Sequence, residues 1–342
     1  MKRIVTALAI PATSAGAPIA KRIVTAIAAL ALSAGAAAAQ AYPTRPITMI
    51  VPFAAGGPSD AIARLVAQSM STTLKQQVVI ENVAGAGGTT GAARLAKAEK
   101  DGYTILVHHV ALAAGASLYK NLSYDTLGDI EPVGLINQGP MVVTTKKDYP
   151  AKTAQELLAR LKTEGSKTTA AHAGVGSNSH LCNLLLQQTL DVKFTEAAYR
   201  GTGPAMNDLM SGQVDLLCDQ STTAVPQIQG GTIKAFAVTS KDRLDVIKDV
   251  PTMAEAGYPN FEFVIWHGMY APKGVPAEAV TALNKALQVA LDDANVKARF
   301  ADVGTQLFPA GERSPQAHKA RLEKEVATWK DVVAKSGVSA GN

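Results

Sequence analysis

The chain has 342 residues, 47% of them hydrophobic and 5% aromatic. That is a globular composition at a length suited to two ordinary domains. Its 33 basic and 28 acidic residues give a net charge of +5. The first 41 residues hold four of the basic ones and no acid, so the rest of the chain carries 29 against 28, a net +1. That balance makes no electrostatic case for a nucleic-acid partner, which needs a clustered basic face.

Residues 21–41 read KRIVTAIAALALSAGAAAAQA: a basic pair, an apolar core and a small-x-small ending at Ala39-Gln40-Ala41. This is the layout of a secretory signal peptide cut before Tyr42. The core is too short to span a bilayer. KRIVTA also occurs at 2–7, where Pro11 and Pro18 follow it and spoil an apolar helix. Residues 1–20 therefore read as a duplicated extension or a misplaced start. The leader has no Cys, which argues against a lipid-modified N-terminus. An exported chain meets an oxidising space, so Cys182 and Cys218 are either a disulfide or two buried thiols.

Past the leader, strand-like and helix-like pieces alternate. Strands are expected at 47–53, 77–81, 104–108, 132–145, 168–173, 194–198, 216–219 and 235–239. Helices are expected at 59–74, 91–98, 154–162, 179–189, 202–211, 223–229, 277–291 and 315–336. Short β-rich runs between helical ones argue an α/β fold with largely parallel sheets. From Glu278 onward the pattern is mostly helical.

Three glycine-rich turns follow strands and lead into helices. The first is FAAGGPSD, residues 53–60. Its glycines permit a close backbone approach, Pro58 suits the first helical turn, and the free N–H groups of that turn attract anions. A plain capped helix explains the same residues. The second, ENVAGAGGTTG at 81–91, misses the dinucleotide fingerprint by one residue, since Thr90 stands where the third glycine belongs. It also lacks an acid about 20 positions on. The third, AGVGSNSH at 173–180, places Ser177 to cap a helix with His180 three residues on. It is not the G-x-S-x-G elbow. His108 and His109 point to opposite faces if both lie on a strand, which is poor geometry for one metal. No set of four closely spaced zinc ligands is visible, and no metal or cofactor is expected.

Several long stretches, among them VPFAAGGPSDAIARL, VIENVAGAGGTTGAARLAKAEKDGYTIL, YRGTGPAMNDLMSGQVDLLCD, VPTMAEAGYPNFE and WHGMYAPKGVPAEAV, resemble the Bug family in content and order. These are extracytoplasmic receptors of tripartite tricarboxylate transporters, and the resemblance runs from about Tyr42 to the end. It implies a periplasmic-binding-protein (Venus flytrap) fold of the α/β class. Two domains, 42–140 plus 265–342 and 141–264, are joined by crossing strands near 138–143 and 264–267. It also implies a monomer in the periplasm that carries a small carboxylate to membrane permease subunits. One jaw of the ligand site is Phe53, Gly56, Gly57, Ser59 and Asp60. The other is Gly176, Ser177, Ser179 and His180. Asp219 faces the cleft by the same resemblance and reads an amine or hydroxyl. The stretch VHHVALAAGASLY departs from the expected small polar run, so His108 or His109 tunes the pocket toward an aromatic or bulkier acid.

Two rivals stand beside this reading. One is an exported serine hydrolase built on Ser177 or Ser59, for which no base and acid are recognisable. The other keeps the fold but presents the ligand to a membrane signalling partner.

Overall fold

The computed structural model describes residues 42–336, so the signal-peptide reading lies outside the described residues. The chain opens with β1 (Ile47–Val51), α1 (Pro58–Leu74), β2 (Val78–Asn82), α2 (Thr89–Ala96), β3 (Thr104–His109) and α3 (Ala111–Leu118). The β-branched and apolar run of β1 is buried except at Thr48. It lies between β2 and β3, parallel to both. On α1 the buried Ile62, Ala63, Val66, Ala67 and Met70 recur every three or four residues, the stripe that seats a helix on a sheet. They pack with Met49 and Val51. Each such large side chain taken from water contributes about 1.5–3 kcal/mol.

A long strand follows, β4 (Ile130–Lys146). Then come α4 (Ala154–Glu164), β5 (Thr169–His172), α5 (Asn178–Leu190), β6 (Thr195–Ala198), α6 (Thr202–Met210), β7 (Leu216–Gln220), α7 (Ser221–Gln229) and β8 (Ile233–Val238). The chain returns through β9 (Val264–Pro272). It ends with α8 (Ala277–Asp292), α9 (Ala294–Asp302), β10 (Gln306–Leu307) and α10 (Pro315–Ser336).

The strand order is β2-β1-β3-β9-β4-β7-β5-β6, with β8 and β10 also on β4. β4 changes partners along its length. Residues 130–140 pair antiparallel with β9, and 141–145 pair antiparallel with β7. β8 joins at 142–146. The runs β2-β1-β3 and β6-β5-β7 are parallel, while β4, β8, β9 and β10 are not. The sheets are thus more mixed than alternation alone suggested.

The expected elements appear with shifted ends. Three were not separately foreseen: α3, α9 and β10. The α3 stretch ALAAGASL is buried along nearly all its length, so it carries no amphipathic period for a sequence reading to find. β9 had been placed only by its crossing at 264–267. Cys182 of α5 and Cys218 of β7 are bonded, with Cα atoms 6.1 Å apart and both side chains fully buried. The bond ties the helix behind the 173–177 turn to the strand that ends at Gln220.

Candidate functional site

A cavity of about 20 Å³ lies beyond the carboxyl ends of the parallel strands, where open α/β sheets place their ligands. From the β1 side come Phe53, Gly57, Pro58 and Ser59, and from the end of β3 comes His109. β4 contributes Met141, and the β5 turn with the start of α5 contributes Ala173, Ser177, Asn178 and Ser179. Thr202 opens α6, and Asp219 with Gln220 closes β7. No Lys or Arg is among these residues.

Of the residues singled out from sequence, the cavity brings together Phe53, Gly57, Ser59, His109, Ser177, Ser179 and Asp219. It leaves out Gly56, Asp60, Gly176 and His180, and for three of them the reason is visible in the bonding. The Asp60 carboxylate turns back into its own loop. It accepts from the Gly56 N–H at 3.1 Å, Arg64 Nε at 2.9 Å and Asn82 Nδ2 at 2.9 Å. Burial raises its pKa, but these bonds outweigh burial and hold it below the ordinary carboxylate range. Asp60 therefore shapes the turn and does not face the cavity. The Gly176 N–H is likewise committed, donating to His180 Nδ1 at 3.2 Å.

His180 has a companion. His172 Nδ1 accepts from the Gly174 N–H at 3.1 Å. Each ring therefore carries its proton on Nε2, and both Nε2 atoms face Glu196, at 3.8 and 3.9 Å. Burial lowers the pKa of His172, and burial with the neighbouring His172 ring pushes His180 down to about 3. Two neutral imidazoles thus hold the backbone of the 173–177 turn in shape. Ser177 caps α5, its Oγ accepting from His180 N–H at 3.3 Å. Ser179 Oγ accepts from the Ala173 N–H at 2.9 Å and lies 3.2 Å from Ser177 Oγ.

On the opposite side three histidines gather. The His108 and His109 rings are 5.0 Å apart, His109 stacks on Phe53 at 4.8 Å, and His267 meets His109 edge-on at 5.5 Å. His108 and His109 both stand on β3, paired in register with Gly268 and His267 of β9. β3 ends at His109, and the chain turns directly into α3. His109 Nδ1 accepts from the Ala111 N–H at 3.2 Å, so its proton also sits on Nε2. Burial, then His108 and His267, hold its pKa well below the usual range.

Ser59 Oγ lies 3.2 Å from His267 Nε2, a serine–imidazole pair that the sequence spacing of 208 residues did not reveal. Its chemistry is weak. His267 Nδ1 has no partner, so no carboxylate orients the ring. Burial, helped by His108, pushes its pKa to about 3, leaving a poor base. The Ser177 hydroxyl hydrogen-bonds Ser179 and the backbone N–H of His180. Among the described residues, no three or more His, Cys, Asp or Glu side chains are placed to hold a metal ion.

Asp219 is fully buried at the cavity wall. Its Oδ2 accepts from Thr223 Oγ1, while Oδ1 has no partner. Burial pushes its pKa up to about 6, against the pull of Thr223, the Gln220 N–H and Thr202. Gln220 Oε1 and both polar atoms of the Asn178 amide are also buried and unpartnered. Sequence reasoning missed Asn178, Thr202 and Gln220; the first two stand at helix starts that it had located, and Gln220 precedes a helix that it began two residues late, at 223.

A model of the tripartite tricarboxylate transporter family receptor matches residues 62–338. The chain belongs to this receptor family. A UPF0065 protein of Agrobacterium vitis, from the TAR-I ttuE-ttuC' intergenic region, is 46% identical over 297 residues, which cover 87% of this chain and 86% of the relative. The structure of the periplasmic binding protein BugD is 44% identical, with a TM-score of 0.85 over 87% of this chain and 99% of that one. MatC from Rhodopseudomonas palustris with bound malate is 39% identical, with a TM-score of 0.83 over 85% and 100% of the two chains. The fold of the receptor is therefore the mixed α/β architecture of periplasmic binding proteins, with helices on both sides of its sheets. The family is one of periplasmic solute receptors. No described helix of this receptor is long and apolar enough to cross a membrane.

Proposed function

We propose that this receptor captures a small carboxylate in the cavity between two hinged domains and delivers it to the membrane subunits of a tripartite tricarboxylate transporter. The reading makes it an exported monomer and a carrier, not an enzyme. The observation that carries it is the convergence of two helix starts, α1 and α5, on one cavity with the buried hydroxyls of Ser59, Ser177 and Ser179. Helix N-termini offer free N–H groups and a partial positive charge, suited to a carboxylate that is held and not attacked. The weak base beside Ser59 supports holding over hydrolysis. MatC, the malate-bound relative, supports the ligand class.

The two domains are residues 42–140 plus 265–342 and 141–264. The change of partners along β4 between Pro140 and Met141 supports this division. So does the return of the chain through β9 to β3. A cavity of about 20 Å³ holds roughly one or two waters, so an organic acid enters only when the domains part. A ligand that touches both domains then favours the closed form by its differential affinity.

Calorimetry on the mature chain checks the proposal. One carboxylate is expected per chain, with Ser59→Ala and Ser179→Ala each weakening it about 5- to 10-fold, the range for a lost hydrogen bond. Unaltered affinity in both variants would sink the site.

A further inference from the structure

We infer that the receptor has a second binding site, away from the cavity, for a small acid with an apolar body. It is a pocket of about 560 Å³ between the start of α2 and the stretch 119–124 that follows α3. That volume suits a small molecule, for which pockets run to about 300–1,000 Å³. The pocket shares no lining residue with the cavity. One wall belongs to the second glycine-rich turn, which the proposed function leaves unused.

The charges there call for an anion. Lys120 lines the pocket, no Asp or Glu does, and Lys120 has no hydrogen bond or ion pair among the described residues. α2 begins at the same wall with Thr89 and Thr90, so its positive end adds to the lysine. Thr89 is spent, since its N–H and its hydroxyl both donate to the Ala86 carbonyl. The Thr90 hydroxyl stands beside it. Tyr124 is an independent sign of a ligand. It lines the pocket, is only 7% exposed, and its hydroxyl has no partner. Burial, then Tyr119, raises its pKa, so the hydroxyl keeps a proton to donate. A buried hydroxyl left unmet is costly, and a ligand oxygen removes that cost. Leu122 and the two tyrosine rings supply apolar surface. Donors and a cation against such walls fit a carboxylate on an apolar, aromatic body.

The pocket also reaches the cleft. The Tyr119 hydroxyl donates to the Val175 carbonyl at 2.7 Å, inside the 173–177 turn and across the proposed domain boundary. An acid packed on the Tyr119 ring holds that bond in place and so favours the closed form. This coupling rests on the receptor reading; the site itself does not.

Calorimetry on the mature chain tests the site with benzoate, with acetate as the charge without the body and benzyl alcohol as the body without the charge. Benzoate is expected to bind saturably with a Kd below about 1 mM, and the other two at least about 10-fold more weakly. Lys120→Glu, at an exposed position, is expected to weaken benzoate about 10-fold, and Tyr124→Phe about 5-fold. Ser59→Ala combined with Ser179→Ala is expected to leave it unchanged. Benzoate binding that follows Ser59 and Ser179 and ignores Lys120 overturns the site. So does no binding, or acetate or benzyl alcohol binding as tightly as benzoate. The coupling is read by titrating the best carboxylate of the cavity with and without saturating benzoate. Its affinity is expected to rise about 5-fold, the low end of typical couplings, and Tyr119→Phe to remove that rise while benzoate still binds. Unchanged affinity overturns the coupling and leaves the site. If no carboxylate occupies the cavity, the receptor reading fails and the benzoate results still decide the site.

Discussion

Asp60 and Asp219 sit within the same small region and meet opposite fates. Asp60 is surrounded by donors, which hold its pKa below the ordinary range. A carboxyl lowered in the folded state stabilises the fold above its unfolded pKa, and that contribution fades as pH falls through the folded value. Asp60→Ala is therefore expected to lower Tm at pH 7 and to matter less in strong acid, as scanning calorimetry at both pH values shows. Asp219 is the reverse. Its pKa is raised from 3.8 to about 6 by burial, so ionisation works against the fold, on the order of a few kcal/mol at neutral pH. The strain is relieved as pH drops from about 6 toward 4. Asp219→Asn is expected to raise Tm at pH 7 and to leave it unchanged at pH 4. A Tm at pH 7 no higher than that of the unmodified chain contradicts the burial argument. At this scale the sequence showed which loops carry donors. It did not show which donors the protein itself consumes. The Gly176 N–H, for instance, is spent on a histidine four residues away, and that depends on a rotamer.

Among the elements, the glycine-rich turns form close contacts between segments far apart in the chain. Gly87 has a φ of +61°, and a Cβ there would stand 1.9 Å from the Val175 carbonyl oxygen. At Gly203 a Cβ would stand 2.6 Å from the Ala55 carbonyl oxygen. The loop at 85–88, which resembles a nucleotide fingerprint in the sequence, is thus a contact pad against the 173–176 turn. If the proposed two domains close on each other, Gly203→Ala is expected to hold them apart. In small-angle scattering the unmodified chain should contract on adding a saturating ligand and the variant should not. Equal contraction of both speaks against a closing contact at this point. The disulfide works on a different pair of elements. Removing it, by Cys182→Ala with Cys218→Ala, is expected to cost about 2–4 kcal/mol, read as a lower Tm. The helices and strands around these pads were legible because their apolar periods are strong, as in α1 and α8. α3 was not, because a helix buried on nearly all sides has no period. The approach of 87 to 175, and of 55 to 203, joins segments far apart in the chain, and no local pattern encodes it.

For the molecule as a whole, the order of long motifs carried the family and the fold further than any composition or single turn could. Composition gave a globular chain of near-neutral charge, and the alternation of β-rich and helical runs gave the α/β class. Topology explains the gap: β4 exchanges β9 for β7 and β8 near residue 140, and no local pattern encodes that exchange. The absence of Lys and Arg from the cavity lining has a consequence outside the protein. Attraction between exposed opposite charges weakens as dissolved ions screen it, with a reach of about 10 Å at 0.1 M salt. The proposed grip of backbone N–H groups and hydroxyls is screened far less. The dissociation constant is therefore expected to change less than about threefold between dilute buffer and 0.5 M sodium chloride, as titrations across that range check. A receptor that holds its ligand in this way would fill to a similar extent in dilute and in saline surroundings at the same solute concentration.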